Sequence, residues 1–201
     1  MASQLTGLFR TLSWSDFRVV QASAPGPNDP PADAAATAVN VNPSGLNLQG
    51  SPPNLSLADT IVVNIVFDRS NSFKNSWVVT MSPSDQARLL SHEQGHYNLT
   101  ALLARDFFLQ LMAMKGNAYA SAADMQNDLN AAQAATVART QEISDAYDAG
   151  TSHGTDPDGQ SKWLGYIQTA FTQPVNPPQT TPDGTPIKVK IIDVLSAANE
   201  I

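Results

Sequence analysis

Cysteine is absent from the 201 residues, and its absence removes three kinds of chemistry at once. There are no disulfides, no thiolate metal ligands and no cysteine nucleophile, while the redox compartment stays open. Charge is also scarce. Only 14% of residues are charged, with 11 basic against 18 acidic, a net charge of −7 and a pI near 4.7. An acidic chain is a poor partner for nucleic acid or an anionic membrane, and no basic run with interleaved aromatics occurs. No apolar stretch reaches the length of a membrane span. Met1 to Trp14 lacks the basic start, apolar stretch and small-residue cleavage site of a secretion signal. The expectation is a soluble chain, either cytoplasmic or exported by a signal-independent route. With 42% hydrophobic residues it is expected to form one core, as a single domain over residues 1–201.

Histidine is nearly as rare, and its placement is informative. Two of the three histidines stand in His92-Glu93-Gln94-Gly95-His96, and the third is His153. On a helix, residues i and i+4 share one face, so two imidazoles can converge on one metal ion. Zinc accepts imidazole nitrogen and prefers four ligands, and the intervening glutamate can serve as a general base. The spacing therefore points to a single zinc ion and a hydrolytic reaction.

The surrounding pattern supports a helix there. Residues 21–56 are rich in Pro, Ala, Asn, Gly and Ser and read as loops joining short extended pieces, with a strand at Thr37–Val41. Thr60–Asp68 is β-branched and apolar, which predicts a strand buried on both faces. Phe73–Met81 predicts a second strand, joined to the first by Arg69–Ser72 as a hairpin. Ser82, Pro83 and Asp85 form the start signal of a helix whose apolar positions recur until Gly116. A second helix is expected from Ser121, with Asp124 in the capping position, to about Ala149. A loop over Gly150–Gly159 and a short helix near Ser161–Phe171 follow. Residues 173–186 hold five prolines, and Pro186–Leu195 alternates as a strand or extended tail. The fold class is α+β.

Helical rise places the remaining partners. His96 lies about 30 Å before Gly116, taking roughly 1.5 Å per residue. The same distance along an antiparallel second helix reaches about residue 142. Glu142 to Asp148 should then pass beside the two histidines, with His153 a few residues beyond. Glu142, Asp145 and Asp148 are thus candidates for the third ligand. His153 is preferred among them because neutral imidazole suits zinc and a loop can adapt its aim. Leu99 and Leu102 occupy the positions where a metzincin would carry Gly and His.

Three segments also resemble a known family. Leu12-Ser13-Trp14-Ser15-Asp16-Phe17 is similar to its opening block. Ser76-Trp77-Val78 with His92–His96 is similar to its central block, and Tyr147-Asp148, Thr151, His153, Gly154, Gln160 and Trp163 to its closing block. The chain resembles, over about residues 12–167, family 922 of the bacterial domains of unknown function, usually described as predicted zinc-dependent peptidases. The resemblance implies a zincin-like fold: a small mixed β-sheet packed on a long metal-binding helix, with a second antiparallel helix. It also implies His153 as third ligand and puts Tyr147 and Asp148 in the site's immediate surroundings.

The expected mechanism has one zinc ion on His92, His96 and His153, with a water in the fourth position. Glu93 acts as general base and Tyr147 as second donor to the developing oxyanion. Asp148 or Asp145 would accept from a ligand histidine's other nitrogen. The expected partner is a peptide or protein substrate, bound as an extended strand against the sheet edge near Trp77, with Trp77 and Trp163 candidates for lining subsites. The alternatives are an inactive or structural zinc-binding domain acting as an interaction module, and a metal-free interaction module.

Overall fold

The computed structural model describes residues 3–21, 23–24, 34–57, 60–181 and 184–201. It has a mixed α+β architecture of small sheets and four helices. The largest strand pairing runs through β7 (Val62–Phe67), the middle strand of a three-stranded sheet. Beside it lie β1 (Gln4–Thr6), parallel, and β4 (Val39–Ser44), antiparallel. β4 covers the end of the strand expected at Thr37–Val41 and extends it. Short antiparallel β5 (Leu48–Gln49) and β6 (Ser56–Leu57) fill out the loop-rich region, part of which, residues 22 and 25–33, lies outside the described residues.

β7 is buried on one face only, which corrects the two-faced expectation. Val63, Ile65 and Phe67 point into the core, whereas Val66 on the other face is 44% exposed. Helical cover lies on a single side of this sheet, so the alternate face, Val62, Asn64 and Val66, is left half-buried to exposed.

The expected hairpin does not form. Asp68 gathers the turn: its carboxylate accepts from the Ser70 and Asn71 amides, the Asn71 side chain and Asn40 Nδ2. Ser72 is tied to Ala38 instead, with the Ala38 amide donating to Ser72 Oγ. The chain is thereby led into a separate sheet, ordered β2 (Arg18–Val20), β8 (Phe73–Asn75), β3 (Ala35–Ala36). Only the first three residues of the expected second strand are extended. Ser76–Thr80 forms a 3-10 turn that buries Val78, a case of packing overriding the β-propensity of Trp-Val-Val-Thr.

α1 (Pro83–Met114) starts where the sequence signals it. Ser82 Oγ accepts from the Asp85 amide at 3.1 Å and donates to the Asp85 carboxylate at 2.7 Å. At about 1.5 Å per residue, its 32 residues span roughly 48 Å. α2 (Ala122–Thr151) is capped in the same way by Ser121 and runs through Gly150, two residues further than expected. α3 (Pro157–Thr172) begins at an Asp156 cap, earlier than Ser161.

α1 is apolar on more than one side because it separates two cores. One joins Tyr97, Ala101, Ala104 and Phe108 to the β7 face and to Met125, Leu129 and Ala132 of α2. The other joins Leu99, Leu102 and Leu103 to Ile143, Tyr147 and Trp163. Into this second core fits α4 (Ile191–Ala197), a helix that replaces the second half of the expected Pro186–Leu195 strand or extended tail, while the first half stays extended with Pro186 and Lys188 bridged to Thr180 and Pro174. Ile191 and Leu195, one turn apart, are both fully buried there. Buried Arg105 holds the approach to α4, with Nη1 donating to Ala170 O and Nη2 to Val189 O. Among the described residues, no helix is long and apolar enough to cross a membrane.

Candidate metal centre

His92 and His96 project from one face of α1, and α2 crosses beside them antiparallel. Ser144 and Asp148 face the pair, as the helical rise requires. Asp148 Oδ1 lies 3.0 Å from His92 Nε2 and 3.0 Å from His96 Nε2, and the two Nε2 atoms are 3.2 Å apart. His92, His96 and Asp148 form a group that could hold a metal ion.

The hydrogen bonds behind the histidines decide what this triangle offers. Tyr147 Oη donates to His92 O at 3.2 Å and accepts from Gln160 Nε2 at 2.6 Å. That orientation turns Gln160 Oε1 toward His92 Nδ1, 3.3 Å away. Thr151 Oγ1 donates to Tyr147 O, so it too meets His92 Nδ1 as an acceptor. His92 Nδ1 therefore carries the proton, and the Nε2 lone pair faces the triangle. His96 Nδ1 is matched by Ser144 Oγ at 3.2 Å. Two imidazole nitrogens and a carboxylate oxygen converge, a set of atoms that could share a proton or hold a metal ion. Zinc bonds of about 2.0–2.1 Å in a tetrahedron would separate donors by roughly 3.3 Å, close to the separations here. The residues fit the ion by size and by donor chemistry.

Asp148 is ready for this role. Burial raises its pKa, but the hydrogen bonds and charge that the His92 and His96 rings supply in their protonated forms outweigh that and hold the carboxyl well below the usual range. Glu93 sits beside the triangle and is only 2% exposed. Burial pushes its carboxyl up, opposed by the nearby histidines and by Thr37 Oγ1, which donates to Glu93 Oε2 at 2.7 Å. The group opens on a cleft of about 800 Å³ that Ala34–Thr37, Trp77, Met81 and the 152–155 turn also line.

Glycines set the close approaches. A Cβ on Gly95 would lie 2.0 Å from Tyr147 Oη, so glycine inside the motif lets α2 reach the histidines. Gly154, at φ +74°, packs on His92, where an added Cβ would meet His92 Cβ at 2.7 Å and Cγ at 2.8 Å. Arg88 Nη1 holds Gly154 O at 2.8 Å.

The expected site residues divide accordingly. His92, Glu93, His96 and Asp148 are brought together. His153 stands at the rim: its ring is 67% exposed and its Nδ1 is 3.7 Å from Asp148 Oδ1, outside the donor triangle. Asp148 is the third member of the group that could hold an ion, because α2 stays helical through Thr151 and carries its carboxylate to the two histidines. Tyr147 is fully buried, its ring stacked on His92 at 4.7 Å, and its hydroxyl faces Gln160 and His92 O rather than the cleft. Burial pushes that hydroxyl's pKa far up. Glu142 pairs with Arg139 on the surface, and Asp145 accepts from Gln141. Trp163 is core, 5.3 Å behind Tyr147. Thr37 carried no signal of a role, while Ser144 lay in the segment expected beside the histidines and Thr151 in the closing block, with the partner of each set only by the folded geometry.

No curated protein and no solved structure matches the chain. One family does, described as bacterial protein of unknown function (DUF922), over residues 21–154, a stretch that holds both motif histidines, Glu93, Asp148 and His153. With two thirds of its length matched, the chain belongs to this DUF922 family.

Proposed function

We propose that the chain is a zinc-dependent peptidase in which His92, His96 and Asp148 hold the ion. One observation carries this reading: three possible ligand atoms, 3.0–3.2 Å apart, border an open cleft beside a buried glutamate. When bound, zinc would supply a Lewis acid that polarises a carbonyl and acidifies a water molecule. Glu93 takes the proton of the attacking water and passes it to the leaving amine. Its burial suits a group that must both accept and release a proton near neutral pH, and Thr37 fixes one of its oxygens.

Substrate in extended form has a place to pair. β8, next to Trp77, is the middle strand of its sheet and cannot accept another, which moves the docking edge from where the sequence suggested it. β3 is the outer strand, and Ala34–Thr37 line the cleft. A peptide laid along β3 would pass the triangle, with Trp77 and Met81 offering an apolar wall.

The test joins metal analysis to one substitution. Protein purified without added metal should carry about one zinc per chain and cleave an unfolded protein such as reduced, alkylated albumin. Glu93→Gln should keep the metal and lose at least about a hundredfold in kcat. Zinc-loaded protein that cleaves nothing, with Glu93→Gln indistinguishable from it, would return the site to a structural role. A chain that folds without metal and takes up none would leave an interaction module.

A further inference from the structure

We propose that His153 is not a metal ligand but the hydrogen-bond donor that meets the oxyanion of the substrate, an inference that rests on the peptidase reading above. Attack on an amide places negative charge on the former carbonyl oxygen, and a donor aimed there beforehand contributes to the rate in the transition state only. Three other groups near the triangle are engaged, and Trp77 Nε1, on a residue that also lines the cleft, is buried without a partner among the described residues. The Tyr147 hydroxyl is buried between Gln160 and His92 O. Ser144 Oγ faces His96 Nδ1, and the Arg88 guanidinium is held by Gly154 O and Asp85. His153 lines the cleft, and among the described residues its ring makes no hydrogen bond.

The backbone independently marks this residue. Ser152, His153 and Gly154 take φ values of +47°, +51° and +74° in succession. One left-handed residue, usually glycine, is enough to end a helix; Ser152 already supplies it, and His153 adds a second non-glycine residue at positive φ, a conformation uncommon outside glycine though one that histidine adopts more readily than most. The turn is nevertheless held from several directions. The His153 amide donates to Asp148 O at 2.8 Å, the Gly154 amide to Thr151 Oγ1 and the Thr155 amide to Ser152 O. Arg88 clamps Gly154 O, and the face of Gly154 is pressed on His92. Strain retained by so many contacts at the mouth of a site is what positioning a reacting side chain requires. The result hangs the imidazole 3.7 Å from the Asp148 oxygen, near enough to border the reacting atoms and too far to join the donor set. Ligation by His153 would also take the fourth corner of the tetrahedron, which a hydrolase must leave open.

In the reaction, a bond forms between the water oxygen and the carbonyl carbon, and the C–N bond breaks. Glu93 moves the proton from water to the amine. His153 lends a hydrogen bond to the oxygen and keeps its proton throughout.

Two readouts test this with the full chain. Zinc affinity is measured by competition with a chromophoric chelator, and kcat and KM on a fluorogenic peptide that the wild type cleaves. His153→Ala should hold zinc within about twofold of wild type and keep KM within a few-fold, while kcat falls about 10²–10³-fold. His153→Asn, which retains a donor, should recover part of the loss. Zinc lost from His153→Ala would overturn the proposal by making the residue a ligand, and so would an unchanged kcat. A wild type that cleaves, is silenced by Glu93→Gln and is indifferent to His153→Ala overturns this inference alone. A zinc-loaded wild type that cleaves nothing overturns it together with the peptidase reading.

Discussion

The two ends of the α1–α2 pair are built differently. At the far end, Phe108 and Met112 of α1 share a dry core with Met125, Leu129 and Ala132 of α2. At the near end, Gly95 admits Tyr147 and a connected polar set: Asp148 to both histidines, Ser144 to His96, Gln160 and Thr151 to His92. Apolar packing is non-directional and tolerates small shifts of one helix along the other. Three possible ligand atoms at 3.0–3.2 Å do not, since a shift of 1 Å breaks the triangle. The dry end supplies stability, and the polar end converts the resulting register into a binding site.

Separating those two contributions gives the largest expected effects. Asp148→Ala removes one of the three donors, and metal content after dialysis should fall from about one per chain toward zero. Asp148 also loses the histidine interactions that hold its carboxyl low, so the unloaded variant should melt modestly below the unloaded wild type, by less than a core truncation does. Leu129→Ala at the far end should do the reverse. Opening a cavity there should cost about 2–5 kcal/mol of stability while the zinc affinity of the folded protein stays the same. Atomic absorption and thermal melts on both variants check the pair. Metal loss from Leu129→Ala at a temperature where it is folded would end the division of labour.

Gly95→Ala strikes the point where the ends meet. The added methyl would overlap the Tyr147 hydroxyl, so α2 or the Tyr147 ring must move. An overpacked site of this kind costs about 1–3 kcal/mol, partly offset by the better helix propensity of alanine, about 1 kcal/mol. Stability should therefore fall by about 0–2 kcal/mol, and zinc affinity should fall as well because Asp148 moves with Tyr147. Chelator competition reads the difference. A variant that melts lower but binds zinc as tightly as wild type would show that the glycine serves packing alone.

This contrast also explains what the sequence made legible. Ser82, Pro83 and Asp85 announce α1 through local chemistry, and the i, i+4 histidines announce the site. Helical rise put the partner segment at Glu142–Asp148, and the residues that do face the pair are Ser144 and Asp148. Rise gives height along a helix but not rotation about its axis. The choice between Asp148 and its neighbours, or the looped His153, was therefore beyond it. Trp77-Val78-Val79-Thr80 reads as a strand by propensity, and only the Asp68-centred turn diverts it. Ile191 and Leu195 fit an alternating strand as well as a helical turn, and the pocket between α1 and α3 selects the helix. Tyr147 read as a donor because its spacing brought it close, while the direction of its hydroxyl depends on Gln160, 13 residues away and past a turn.

Gln160 accordingly offers the finest test. Its amide does two things at once: Nε2 donates to Tyr147 Oη, and Oε1 faces His92 Nδ1. Gln160→Leu removes both, leaving His92 Nδ1–H with Thr151 alone and freeing the tyrosine hydroxyl. Partners of this kind behind a ligand histidine are worth about 10–100-fold in metal affinity, so a weakening in that range is expected with Asp148 and both histidines intact. Gln160→Glu keeps an acceptor for His92 but loses the donation to Tyr147, and should fall between Leu and wild type. If Gln160→Leu binds zinc as tightly as the unaltered chain, the imidazole is held by Thr151 and the packing of Gly154 alone. The polar end would then owe its geometry to close approach rather than to its hydrogen bonds.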